Sequence, residues 1–286
     1  MTKVITITGG KGGTGKSTIA TALALALSKK YKTLLADLDA DCPNDHIITG
    51  ISQKKIASVK QIVPRIDNTK CIKCGECAKA CSENAIVFIS GQYPMFFEQQ
   101  CNGCNACVLT CNKIAKAIMP EKKEIGRIMF GKKGNLSLLS GIMNLDNEEP
   151  TPIVKEAKKQ ALALSPGYDF VLFDSAAGTH CNVIAAMQGV DFILAVTEPT
   201  PLALHDLKLI LELSKTLAIT PYVVLNKSTM SNNSQIIADI ATASKDYSAK
   251  IIAEIPYDMQ IIKAYSNSRP IINEPIAALA EKISDM

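Results

Sequence analysis

The apolar run Val4 to Thr8 leads directly into the stretch Gly9-Gly10-Lys11-Gly12-Gly13-Thr14-Gly15-Lys16-Ser17-Thr18, and an Ala- and Leu-rich segment from about Ser17 to Lys29 follows at once. A buried strand that passes through glycines into a helix, with a second apolar run at Thr33 to Ala36, is the opening of a parallel α/β sheet. The same rhythm returns after about residue 120. Strand candidates there are Ile125–Phe130, Phe170–Phe173, Phe192–Val196, Tyr222–Leu225 and Ile251–Ile255. Helix candidates between them, at Pro152–Leu164, Leu204–Leu217 and Ser234–Ala243, supply the crossovers that parallel neighbours need, and Pro275 to Ser284 reads as a closing helix. The fold class predicted is α/β, a mostly parallel sheet flanked by helices.

Between about Asp67 and Pro120 the rhythm stops. Eight of the ten cysteines lie between Cys71 and Cys111, and the segment repeats itself from Cys71 to Cys101. The expected organisation is one discontinuous domain, residues 1–66 and 121–286, with residues 67–120 inserted into it.

Gly10 to Ser17 fits G-x-x-x-x-G-K-[ST] in the strand-to-helix context that motif requires, which makes the fold a P-loop nucleotide-binding sheet. Glycines let backbone N–H groups turn toward phosphates, and the helix N-terminus adds positive potential. Gly10, Gly12, Gly13, Thr14, Gly15, Lys16, Ser17 and Thr18 are therefore the expected phosphate cradle. Lys16 would meet the β- and γ-phosphates, and Ser17 would coordinate Mg²⁺. The competing reading is a glycine turn that only shapes the backbone.

Lys11, inside KGGTGKS, resembles the deviant Walker A loop of the MinD/ParA/nitrogenase-iron-protein superfamily. The resemblance implies a nucleotide-sandwich dimer in which Lys11 reaches the partner's phosphates; otherwise Lys11 is a surface lysine in the loop. Residues 34–44, LLADLDADCPN, resemble switch I of that superfamily, which implies that Asp39 positions the attacking water. Residues 170–178, FVLFDSAAG, resemble its Walker B and switch II pattern. Asp174 would hold Mg²⁺ through water and the Gly178 N–H would sense the γ-phosphate. Ala176-Ala177 stand where the family more often has prolines. The resemblance further implies that Asn226, in VVLNKS, and the Pro256-Tyr257-Asp258 segment hold the base, and that the base is adenine.

CIKCGECAKAC at 71–81 and CNGCNACVLTC at 101–111 are each C-x2-C-x2-C-x3-C. Three closely spaced thiolates can wrap one cubane while the fourth ligand comes from the other run. The expected assignment is Cys71, Cys74, Cys77 and Cys111 on one [4Fe–4S] cluster, and Cys101, Cys104, Cys107 and Cys81 on the other. Zinc is the alternative, although its sites use C-x2–4-C pairs rather than three-plus-one runs. The segment resembles bacterial ferredoxins, with Ser82 and Asn112 in place of the proline that usually follows the fourth cysteine. Cys42 and Cys181 lie outside the module; a further metal site at a dimer interface and plain thiols are both open for them. His46, His180 and His205 have no metal-ligand spacing.

The net charge of +4, from 31 basic and 27 acidic residues, is mild and dispersed, and there is no Trp, so nucleic acid is not an expected partner. The most apolar stretch, Ile19 to Leu27, is broken by Thr21 and far short of the roughly 20 residues a membrane span takes. The tail EPIAALAEKISDM has one Lys among its acids and is unsuited to anionic membranes, unlike the anchor of MinD. A cytoplasmic location is expected, with thiols serving metal or redox chemistry rather than disulfides. Ala177 stands where the nitrogenase iron protein has a cluster cysteine, and no Cys follows Cys181, whereas Mrp-type scaffold ATPases often carry a late C-x2-C.

These parts point first to an ATP-binding and hydrolysing protein that couples a homodimer, or a heterodimer with a related ATPase, to low-potential electron transfer through two [4Fe–4S] clusters. Its partner would be an electron-transfer or Fe–S client protein. An Fe–S or metallocofactor assembly ATPase is the alternative, and a MinD-like positioning switch the third reading.

Overall fold

The computed structural model describes residues 2–230, 234–267 and 272–286. The chain opens with β1 (Lys3–Thr8), α1 (Lys16–Ser28), β2 (Thr33–Asp37) and a short α2 (Asp45–Thr49). A long strand β3 (Lys54–Ile66) leads to α3 (Glu76–Lys79), β4 (Ile86–Val87), β5 (Met95–Phe96), a 3-10 turn at Glu98–Gln100 and α4 (Ala106–Asn112). The chain returns through β6 (Ile118–Lys133) and β7 (Leu136–Met143). Alternation then resumes with α5 (Thr151–Leu164), β8 (Phe170–Asp174), α6 (Cys181–Met187), β9 (Phe192–Thr197), α7 (Pro201–Thr216) and β10 (Thr220–Asn226). The described chain ends with α8 (Ser234–Asp246), β11 (Lys250–Ile255), α9 (Met259–Ser266) and α10 (Glu274–Asp285).

The strands form a nine-stranded sheet in the order β11-β10-β9-β1-β8-β2-β7-β6-β3. Pairing is parallel from β11 to β7 and antiparallel from β7 to β6 and from β6 to β3. Side chains of the central strands alternate between two apolar layers. Ile5, Ile7, Leu35, Leu172 and Leu194 pack under α1 and α10. On the other face Leu34, Val171 and Phe173 meet α5, while Ile193, Ala195 and Val223 meet α7 and α8. Burial on both faces explains why these strands read as continuous apolar runs. Each fully buried Leu or Ile contributes roughly 1.5–3 kcal/mol, enough to fix the strand ends from which the site is built.

The region around the cysteines corrects the sequence reading in three places. The run Ile125–Phe130 is one part of the 16-residue β6, and that strand is antiparallel to both neighbours rather than parallel. The sequence reading had neither β3 nor β7. Ile118, Met119 and Pro120, the last residues of the expected 67–120 insertion, lie in the ribbon that β3 and β6 make together, which ends where Ile66 pairs Ile118. Pro64 and Pro120 face each other across it, a position open to residues without an N–H only at a sheet edge or where ladder bonds are absent. Beyond the ribbon's end, residues 67–117 carry a two-stranded sheet of β4 and β5 and a small interior of their own. That interior consists of Cys77, Ile86, Cys107 and Val108, closed by Ile118 at the end of the ribbon. So small an apolar core stabilises little by itself.

Candidate functional site

The site lies along the C-terminal ends of the parallel strands, where an open α/β sheet forms its crevice. Thr8 ends β1 and delivers the glycine loop. Gly15 caps α1 with φ +96°, and a Cβ there would lie 2.3 Å from Asn226 Nδ2. Only glycine allows that approach. It lets the Asn226 amide donate to the Thr14 carbonyl at 2.7 Å. Gly10 is equally confined, since a Cβ on it would meet Asp206 Cβ at 2.4 Å.

Lys16 is buried and folded back, its Nζ donating to the Lys11 carbonyl at 2.9 Å. Burial lowers its pKa, while Asp174 and Asp39 oppose that shift. Lys11 is held within its own chain by an ion pair to Glu198 at 3.3 Å. Glu198 also pairs with Lys227 at 2.8 Å, and Lys227 donates to the Gly13 carbonyl at 2.8 Å. Burial alone would raise the Glu198 carboxyl, but its two lysines hold it below the usual range. Glu198 and Lys227 were missed by sequence reasoning, although each sits at the end of a predicted strand.

Asp37 and Asp174 lie side by side in the register of β2 and β8. With Asp45 they bring three carboxylate oxygens within 4.8 Å of one another, all buried. Burial raises Asp37 and Asp45 well above the carboxylate range, reinforced by Asp174 beside Asp37 and by Asp37 beside Asp45. The Asp174 carboxyl is pushed up to about 7 by burial, against hydrogen bonding from Ser17 and the charge of Lys16. Both Asp45 oxygens and Asp174 Oδ1 lack a hydrogen-bond partner. Asp39 is half-buried and its carboxyl is raised by burial, with Lys16 pulling it down. Lys16, Ser17, Asp39 and Asp174 are thus brought together, and Asp45 joins them from α2, a helix too short to be read from sequence. The Gly178 N–H donates to the Gly9 carbonyl at 3.2 Å, which ties the segment after β8 to the glycine loop.

Beside the loop lies a cleft of about 240 Å³ walled by Ile19, Ala22 and Ile276, with Asn226, Pro256 and Asp258 at its edge. Its apolar walls and few polar groups suit a flat heterocycle.

The family described as CobQ/CobB/MinD/ParA nucleotide binding domain matches residues 5–271. The chain belongs to this family. Among relatives of this CobQ/CobB/MinD/ParA-type chain, Uncharacterized protein MJ0579 of Methanocaldococcus jannaschii is 36% identical over 92% of the chain and 88% of its own length. The same organism holds Uncharacterized protein MJ0578, 30% identical over 98% of the chain and 96% of its own length. Among solved structures, the septum site-determining protein MinD of Pyrococcus horikoshii, complexed with Mg-ADP, has a TM-score of 0.62 at 19% identity and covers 99% of this chain and 96% of that one. The MinD likeness establishes the shared α/β P-loop fold.

The cysteines of this MinD/ParA-type chain gather in two foursomes. Cys71, Cys74, Cys77 and Cys111 line one small cavity. Cys81, Cys101, Cys104 and Cys107 line a second. Burial raises the Cys77 and Cys101 thiols and pushes Cys107 up to about 11. The Ala117 N–H donates to Cys111 Sγ at 3.3 Å. Cys42 and Cys181 are exposed and outside both groups. Among the described residues, no helix is long and apolar enough to cross a membrane.

Proposed function

We propose that the chain binds and hydrolyses Mg-ATP and couples its nucleotide state, in a dimer of related chains, to electron transfer through two [4Fe–4S] clusters. The observation that carries this reading is the gathering of eight thiols into two foursomes, each made of three cysteines from one run and the fourth from the other, in a chain with a complete phosphate loop.

The residues present fit Mg²⁺. Asp174 Oδ1 is buried without a partner among the described residues, the Ser17 hydroxyl lies close enough to pull the Asp174 pKa down, and an all-oxygen donor set suits a hard cation. Ser17 and Asp174 would hold the ion, which would neutralise charge on the phosphates. Lys16 must leave the Lys11 carbonyl to meet the β- and γ-phosphates, and Lys11 must leave Glu198 to reach across a dimer. Asp39, close enough to Lys16 to feel its charge, would order the attacking water. Catalysis of this type is positioning and charge stabilisation.

The thiols fit iron–sulfur clusters by softness and grouping. Burial opposes thiolate charge at Cys77 and Cys107, and a bound metal relieves that cost by taking the thiolate as ligand. When bound, the clusters would supply one-electron chemistry. Cys71, Cys74, Cys77 and Cys111 would hold the first, and Cys81, Cys101, Cys104 and Cys107 the second.

A covalent and hydrogen-bonded connection supports coupling between the two sites. The switch I residue Ala40 accepts from the Met143 N–H at the end of β7 at 3.0 Å. Its neighbour Asn144 donates from the backbone to Ile125 at 2.9 Å and from the side chain to Glu124 at 3.0 Å, both on β6. Thus Ala40 is linked, through Met143 and its neighbour Asn144, to a strand that leads to the cysteine module.

The test is anaerobic purification, iron and sulfide analysis, and EPR of the dithionite-reduced protein with and without MgATP. Cluster signals that shift with MgATP, and lose the shift in Lys16→Ala while iron content holds, support the proposal. Identical signals in both states remove gated electron transfer. Iron that passes to a client protein instead makes the chain an assembly ATPase.

A further inference from the structure

This inference rests on the module being a cluster carrier. The two foursomes differ in their surroundings. The second is backed by the ribbon, since Ile62 and Pro64 of β3 line its cavity and Gln61 Nε2 donates to the Cys101 carbonyl at 2.5 Å. The first lies farther along the ribbon, at the level of the terminal pair Ile66 and Ile118. Two large apolar side chains in its lining stand in solvent, Ile72 at 63% and Ile114 at 48% exposure.

Charge is divided the same way. All five lysines of residues 67–117 (Lys70, Lys73, Lys79, Lys113 and Lys116) lie in the two stretches that flank the first foursome. Lys70 pairs with Asp67 at 3.4 Å and Lys79 with Glu76 at 2.7 Å. Lys73, Lys113 and Lys116 are exposed and have no acidic partner among the described residues; Lys73 sits 4.4 Å from the Tyr93 ring centroid. The remaining acids of the segment lie elsewhere: Glu83 lines the second cavity and Glu98 pairs with Lys123 of β6. Glu76 also lines the first cavity but is paired with Lys79, so the unpaired charge at its rim, around the two exposed isoleucines, is positive.

We propose that this rim, with Ile72 and Ile114 at its centre and Lys73, Lys113 and Lys116 around it, docks a small acidic electron-carrier protein that exchanges electrons with the first cluster. The reduced carrier loses one electron and the oxidised first cluster gains it, with no proton or leaving group involved. Charged residues at such a rim steer encounter and raise the association rate more than they hold the complex, while the two isoleucines supply the desolvated contact.

The experiment uses the full-length, iron-loaded protein under anaerobic conditions, mixed by stopped flow with a reduced acidic two-cluster ferredoxin. The bimolecular rate is expected to fall as ionic strength rises, because surface charge is screened. It is expected to drop at least about tenfold in Lys113→Glu/Lys116→Glu, and less in the milder Lys113→Gln/Lys116→Gln pair. Reversing two ribbon lysines instead, Lys60→Glu/Lys122→Glu, should leave the rate within about twofold. Iron content and circular dichroism establish that each variant is folded and loaded. A rate insensitive to salt in the unmodified protein overturns the proposal, as does an equal loss from the ribbon variant or faster exchange with a basic carrier. Absence of iron from the unmodified protein sinks the cluster reading itself, a separate outcome.

Discussion

Lys11 and Lys227 share a single carboxylate, Glu198, so the lysine assigned to reach a partner is anchored at home. Charged hydrogen bonds of this kind contribute roughly 1–2 kcal/mol where they are part-buried. Glu198→Gln should release Lys11 and lower the protein concentration at which a non-hydrolysable ATP analogue induces dimers, by about threefold to tenfold. Light scattering across a dilution series measures this, and an unchanged midpoint would mean the pair does not restrain Lys11. Lys158 on α5 is a second residue whose work is invisible in sequence. Its ammonium donates to the carbonyls of Ala185 and Ala186 at 2.9 Å and to that of Gln188, at the end of α6. Lys158→Met leaves buried carbonyls unpaired and should cost roughly 2–3 kcal/mol in denaturant unfolding. Burial lowers the Lys158 pKa from 10.5 to about 8. Between those values the unfolded chain binds more protons than the folded one, so this group makes stability rise with pH across that window and adds no slope below it. Comparing unfolding at pH 7.5 and 9.5 should show a gain in the unmodified chain that is smaller in Lys158→Met.

At the scale of elements, α1 depends on the left-handed cap at Gly15 and its contact with Asn226. Gly15→Ala would force apart two groups that touch, and should abolish nucleotide-induced thermal stabilisation while the chain stays folded. Calorimetry with and without Mg-ADP checks this; retained stabilisation would show that Asn226 can retreat without loss. The link through β7 has its own test. Asn144→Ala removes the side-chain bond to Glu124 and should reduce any MgATP-dependent EPR change without lowering ATP turnover. The strands buried on both faces were legible because each is a short apolar run bounded by turn residues. β3 was not, because KKIASVKQIVPRI mixes lysines with isolated apolar residues on an edge strand that pairs only with β6. β6 was legible only over Ile125–Phe130; its outer half, IMPEKKE, has exposed polar side chains and no alternation. β7, LSLLSGIM, was missed although it is buried along most of its length, since it follows β6 in a tight hairpin rather than after a helix. At the site, the loop, Asp39, Asp174 and Asn226 were readable from motif and resemblance. Asp45 was not, because its importance comes from β2 and β8 bringing Asp37 and Asp174 beside it, a long-range fact with no local spacing.

For the whole molecule, the paired ribbon ends define where the cysteine module attaches. Ile66 and Ile118 are opposite one another, and the Asp67 N–H donates to the Ala117 carbonyl at 2.7 Å. Antiparallel partners stand about 5 Å apart, a span that a two-residue Asn-Gly turn closes. Replacing residues 67–117 by Asn-Gly should leave a chain with a normal far-ultraviolet spectrum and Mg-ADP stabilisation but no bound iron. Loss of nucleotide binding in that variant would mean the module is needed to build the P-loop site.

The ribbon also sets a mechanical gain. β6 pairs with β7 from Gly126 to Lys133 and is tied to Asn144 at Glu124 and Ile125, so its outer six residues, Ile118 to Lys123, overhang the sheet together with β3. At about 3.3 Å per residue that is a reach of roughly 20 Å, and a tilt of ten degrees at the clamp would sweep the tip by about 3–4 Å. Removing two residues from each strand would preserve which side chains face inward, because the side-chain period is two, while shortening the arm by roughly 7 Å. If the proposed coupling holds, the arm's length is an adjustable quantity, a gear ratio between motion at the phosphate site and travel of the cysteine module.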